Sequence, residues 1–136
     1  MDKMNKKEYK KYADQKVPKP TYLKNMLYAF LVGGAICTLG QIIRNKLFKL
    51  GLDEKAVAVG TSIILIFIGA FLTGIGVYDK IGKIGGAGAA IPITGFANSI
   101  VSPAMEFKKE GYIFGVAARM FSIAGPVLVY GVGSSI

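Results

Sequence analysis

The sequence GKIGGAGAAIPITGFANSIVSPAMEFKKEG, residues 82–111, decides how the rest of the chain is read. Within it, residues 84–105 run for 22 positions without a charge. About 20 apolar residues cross the roughly 30 Å hydrocarbon core of a bilayer, so the run is long enough to span. It nevertheless makes a poor ordinary helix. Nine of its residues are Gly or Ala, Pro92 and Pro103 each lack a backbone donor, and Thr94, Asn98, Ser99 and Ser102 are polar. Irregular backbone persists in lipid only where protein or a water-filled cavity satisfies its polar groups. The stretch therefore reads as a broken or re-entrant membrane element lining something wet.

Outward from it, three more uncharged runs occupy residues 25–43, 56–78 and 111–136, the last broken only by Arg119. Together the four runs take 90 of 136 residues, and the mean hydropathy is +0.46. Little chain remains for a water-soluble core. The expected fold is all-α: a polytopic helical membrane protein with about four membrane segments, the third Gly/Pro-rich and broken or re-entrant. The expected organisation is a basic cytoplasmic flank, residues 1–22, and a single membrane domain, residues 23–136. Its segments fall at about 23–43, 56–78, 84–105 and 111–134.

Eight of the 17 Lys and Arg residues lie in the first 24 positions. Such a flank obeys the positive-inside rule and suits anionic headgroups, and its attachment to a span argues against nucleic acid. Lys6, Lys7, Lys10 and Lys11 with Tyr9 and Tyr12 fit a short surface helix that Pro18 and Pro20 would stop. The first apolar run is long and no small-x-small cleavage site follows it cleanly, so it reads as a retained span rather than a signal peptide.

The spans carry small-residue stripes that let helices approach closely. In the first, Ala29, Gly33, Cys37 and Gly40 recur at helical spacing; in the second, Ser62, Gly69, Thr73 and Gly76. In the last, Gly111, Gly115, Ala118, Ser122 and Gly125 repeat at four, three, four and three. Gln41 either bonds across helices or sits at the interface, its position near the span end favouring the interface. Pro126 is expected to kink the last helix where Ser122 loses a partner. Arg119 either faces protein or water within the membrane or snorkels to the nearer interface, and the two readings stand level.

Two topologies fit the central stretch. A single crossing gives four spans with both termini cytoplasmic; a dip and return gives three, with the C-terminus outside. Charge counts favour the first, with about ten basic residues on inside loops against six outside.

Enzyme chemistry finds little footing. The chain has no histidine and one cysteine, Cys37. Ser-His-Asp and Cys-His constellations, His metal sites and an intrachain disulfide are thereby excluded. The Gly86–Gly88 glycines lack the third small residue and the βαβ setting of a dinucleotide loop, and Gly82-Lys83 lacks the spacing and hydroxyl of a phosphate loop. Glu106 and Glu110 read as a membrane-interface turn. No cofactor or metal is expected. Ser102-Pro103 fits the start of a half-helix whose N–H groups would face a cavity and suit an anion.

Residues 91–111, IPITGFANSIVSPAMEFKKEG, resemble the signature of the stage V sporulation AC/AE membrane proteins of endospore formers. LVGGAICTLGQ (31–41), TGIGVYDKIGKIGGAGAAIPITGFANS (73–99) and MFSIAGPVLVYG (120–131) resemble it too. The long basic flank and the EFKKEG and FSIAGPV segments favour the AC branch. The resemblance implies a subunit of the spore inner-membrane assembly that moves dipicolinic acid, with calcium, into the developing spore and out at germination. It further implies an AE-b-like membrane partner and a soluble AD-like partner, and it supplies no catalytic residues.

Dipicolinate is a flat dianion, and its path needs oriented donors, to which one cation can be added. Gly86, Gly88, Thr94, Asn98, Ser99 and Ser102 supply candidate donors, and Arg119 a charge. Gly33, Cys37, Gly40, Gly111, Gly115, Ala118, Ser122 and Gly125 supply the packing faces of an expected homo- or hetero-oligomeric pore. The competing reading is a membrane anchor that holds a soluble ligand-binding partner and conducts nothing.

Overall fold

The computed structural model describes residues 6–16 and 21–136. Every element among them is helical, with no strand. The basic flank forms α1, Lys6–Lys16; the Pro18 and Pro20 stop lies outside the described residues.

The first span, α2, covers Tyr22–Lys49. It runs six residues past the expected end, because 44–49 contain no Gly or Pro, and stops only near Gly51 (φ +79°). The loop expected over 44–55 shrinks accordingly, and α3, Glu54–Gly74, follows almost at once. Arg44 reaches Glu54 at 3.4 Å across the turn, an exposed pair of small energetic weight. Position 40 meets Leu65 and position 60 meets Leu47, so α2 and α3 form an antiparallel hairpin.

The second span ends earlier than its apolar run. Gly76 (φ +71°) turns the chain after α3, and Tyr78 opens α4, Tyr78–Gly85. Gly86 (φ +49°) turns it again into the four-residue α5, Ala87–Ala90. Pro92, in extended backbone, starts α6, Ile93–Glu106. The half-helix start expected at Ser102 is therefore corrected to Ile93. Ser102 and Pro103 lie inside α6, which ends at Glu106. Proline is tolerated there because only one intrahelical donor is lost, three residues before the helix end.

Directions follow from two contacts at the same offset. Gly69 packs against Thr94, and Thr73 against Asn98, so α6 runs parallel to α3. Thr94 lies beside Gly69, five residues before α3 ends, and α6 then passes the end of α3. The chain thus leaves α3, packs α4 and α5 against the first half of α2, and runs in α6 toward the end at which it left α3. A 3₁₀ turn, Phe107–Glu110, and Gly111 (φ +96°) reverse it into the last helix. That helix opens as a π-helix, Tyr112–Ala117, and continues as α7, Ala118–Gly133, unbroken through Pro126.

Among the described residues, three helices are long and apolar enough to cross a membrane: Tyr22–Lys49, Glu54–Gly74 and Tyr112–Gly133. Residues 84–105 contribute no fourth. Their longest helix has 14 residues, about 21 Å by helical rise against about 30 Å of hydrocarbon.

Very little is buried. Among the described residues Val57, Tyr78, Ala89 and Ala97 are the buried apolar ones, while Leu23, Ile91 and Phe114 are each more than four-fifths exposed. The accessible surface is 10,863 Å², where a compact soluble chain of this mass shows about 6,900 Å². Exposed apolar side chains such as these are what lipid and neighbouring helices cover.

Candidate functional site

The densest packing lies where α4, α5 and α6 fold against the α2–α3 hairpin, and glycine makes it possible. A Cβ on Gly88 would collide with the carbonyl oxygen of Ala29, and one on Gly95 with the carbonyls of Ala89 and Ala90. One on Gly69 would sit 2.8 Å from the Thr94 carbonyl oxygen. Gly33 faces the Gly88 backbone at 3.3 Å by the same measure. Ala29 and Gly33 of the first stripe are thus met by α5, and Gly69 and Thr73 of the second by α6.

A buried hydroxyl cluster ties these helices together. The Tyr78 hydroxyl lies 2.8 Å from the Ala89 carbonyl and 2.7 Å from the Thr94 hydroxyl. A carbonyl can only accept, so Tyr78 donates its single proton to Ala89 and accepts from Thr94. The Ala89 carbonyl, at the broken end of α5, is satisfied in this way. Thr73 similarly lies 2.7 Å from the Gly69 carbonyl and 2.9 Å from the Asn98 side-chain amide. Both neighbouring atoms, the Gly69 carbonyl and Asn98 Oδ1, are acceptors, so the Thr73 hydroxyl shares its one proton between them. Among the described residues, no buried side-chain polar atom lacks a partner.

Beside this cluster is a cavity of about 200 Å³. Asn98 and Ser99 of α6 form one wall, with Gly95 behind them; Tyr78, Gly82 and Gly86 form another, closed by Ala89 and Ala90. It lies where the backbone breaks at Gly86 and Pro92. Of the residues expected to face a solute, Gly86, Asn98 and Ser99 come together here. Gly88 does not line it; its place is against α2. Thr94 is buried in the hydroxyl cluster. Ser102 is half-buried one turn beyond Ser99 and makes no side-chain hydrogen bond within the described structure. Arg119 is exposed, its guanidinium 3.9 Å above the Phe107 ring beside the charged FKKE turn, and it does not line the cavity. No group of metal-ligating side chains occurs among the described residues.

The packing residues divide as well. Gly33 meets Gly88, Gly40 meets Leu65, and Gly115 is buried against the Phe107 carbonyl. Cys37, Ala118 and Ser122 are exposed, Gly111 serves the turn, and nothing lies within 4 Å of a Cβ on Gly125.

Two residues escaped the reading of the sequence. Tyr78 figured only as the last residue of the second uncharged run, and Thr73 only as a packing residue. The i, i+4 repetition of Gly69–Thr73 and Thr94–Asn98 is the signal that pairs the two helices.

Residues 25–136 match the model of the SpoVAC/SpoVAEB sporulation membrane protein family. The chain belongs to that family. It is 48% identical over 128 residues to stage V sporulation protein AC of Bacillus subtilis (strain 168), covering 93% of this chain and 85% of that relative. No solved structure matches it significantly. The SpoVAC/SpoVAEB family is one of sporulation membrane proteins, not a known enzyme family. The three long apolar helices fit an integral membrane location.

Proposed function

We propose that the chain is a membrane subunit of a spore inner-membrane channel complex that moves dipicolinic acid, with calcium, during sporulation and germination. In this reading α4, α5 and α6 form a re-entrant hairpin in one membrane domain, entering and leaving on the face that carries the basic flank, which is cytoplasmic. The observation that supports it is the cavity of about 200 Å³ at the two backbone breaks, with Asn98 and Ser99 in its wall. Broken helices inside the membrane domain are how membrane transporters present backbone polar groups to a solute. Three spans are too few to enclose a pore, so the path runs between copies of this chain or between it and an AE-b-like membrane subunit. A soluble AD-like protein presents the solute.

One observation favours the anchor reading instead. Thr94 and Asn98, two expected path residues, are engaged in internal hydrogen bonds. The two readings separate on flux. The chain is reconstituted alone and with its membrane partner in vesicles loaded with dipicolinate, and Ser99→Leu is used to fill the cavity. The channel reading expects at least a tenfold loss of release while assembly and melting temperature are retained. Unchanged release from a correctly assembled Ser99→Leu complex supports the anchor.

A further inference from the structure

A second cavity, of about 420 Å³, lies between the first turns of α2 and the end of α4. Its wall changes character along its length. Tyr22, Asn25 and Lys83 supply a phenol, an amide and an ammonium; Met26, Ala29 and Ile84 supply apolar surface. The antiparallel hairpin brings the start of α2 and the chain beyond α3 to one end of the bundle. Lys24 and Lys80 stand exposed at that same end.

We propose that this cavity holds the headgroup and first acyl carbons of an anionic phospholipid. Charge selects the headgroup, since Lys83 is the one ionisable side chain among the wall residues apart from the Tyr22 phenol. The apolar wall selects a lipid over a free anion, because a free phosphate has nothing to place against Met26 and Ile84. Position agrees with both: the first turn of a spanning helix lies at headgroup depth, where aromatic and basic side chains anchor. The site is separate from the Asn98–Ser99 cavity, although Gly86 borders both. A lipid bound here braces α4 against α2 and so bears on the position of the central hairpin.

The test is native mass spectrometry of the purified full chain released from detergent with phosphatidylglycerol or phosphatidylcholine added. Wild type is expected to retain phosphatidylglycerol at least fivefold better. Lys83→Gln removes that preference, and Met26→Trp, which fills the apolar wall and leaves every charge in place, lowers retention of both lipids. Lys80→Gln, on the same face but outside the cavity, changes retention less than twofold. Equal retention of the two lipids by wild type overturns the proposal. Equal losses from Lys83→Gln and Lys80→Gln also overturn it, showing diffuse attraction to a basic face. Displacement of the lipid by millimolar inorganic phosphate overturns it in favour of a free-anion site.

Discussion

The central stretch and the last span carry the same kind of sequence signal and use it differently. In residues 85–95 three of the four glycines are filled: Gly85 faces Val32, Gly88 faces Ala29, and Gly95 faces the carbonyls of α5, while Gly86 serves the turn. In α7 the glycines at 125, 131 and 133 face open space. Glycine stripes thus mark close approach without saying whether the approaching backbone is in the same chain. The central glycines hold a hairpin to its own bundle. Those of α7 remain free for a neighbour, which is where the proposed oligomer would close.

The largest expected effect breaks the filled side of this contrast. Gly88→Leu puts a side chain into the Ala29 carbonyl, where the obstacle is backbone and cannot rotate away. Loss of the native fold is expected, by about 3 kcal/mol or more, read as aggregation and a lost thermal transition in detergent. Gly125→Leu is the matched change on the open side. It is expected to leave the melting temperature unchanged or slightly raised, since glycine is a poor helix former, while lowering the oligomer fraction in crosslinking. Equal melting temperatures for the two variants would abolish the contrast.

Tyr78→Phe comes next. It strands the Ala89 carbonyl and the Thr94 hydroxyl in a buried place, a loss of about 1–3 kcal/mol, visible as a lowered melting temperature with helix content unchanged. Thr73→Val removes one link between α3 and α6. Hydrogen bonds inside membrane bundles average about 0.6 kcal/mol and reach about 1.7, so a smaller shift is expected; one as large as that of Tyr78→Phe would move the centre of the cluster toward Asn98. Arg44→Gln, at the exposed α2–α3 turn, is expected to cost about 0–1 kcal/mol and to lose even that in high salt.

Much of this architecture was legible in the residues. Run lengths located the three long helices, and the uncharged, glycine- and proline-laden 84–105 segment stood apart from them. Boundaries were less legible. The end of the first uncharged run at 43 suggested a loop, but charge does not end a helix, and α2 continues to Lys49. Ser102-Pro103 matched a helix start locally, yet Pro92 offers an earlier start and tertiary packing of Thr94 on Gly69 selects it. Charge counting favoured four spans because it weighs loops and ignores helix direction, which the Gly69–Thr94 and Thr73–Asn98 pairs reveal. The site was half legible: Asn98 and Ser99 come together with Gly86, whereas Arg119 lies over Phe107, a contact no spacing rule anticipates.

Topology is the most direct test, because a hairpin that enters and leaves on one face puts the chain termini on opposite faces. In a Cys37→Ser background, single cysteines are placed at Tyr9 and Ser135 and challenged with a membrane-impermeant maleimide on sealed, oriented vesicles. The structure predicts that the two positions label from opposite sides. Labelling of both from the same side would mean that residues 84–105 cross the membrane, and would contradict the hairpin on which the proposed solute path rests.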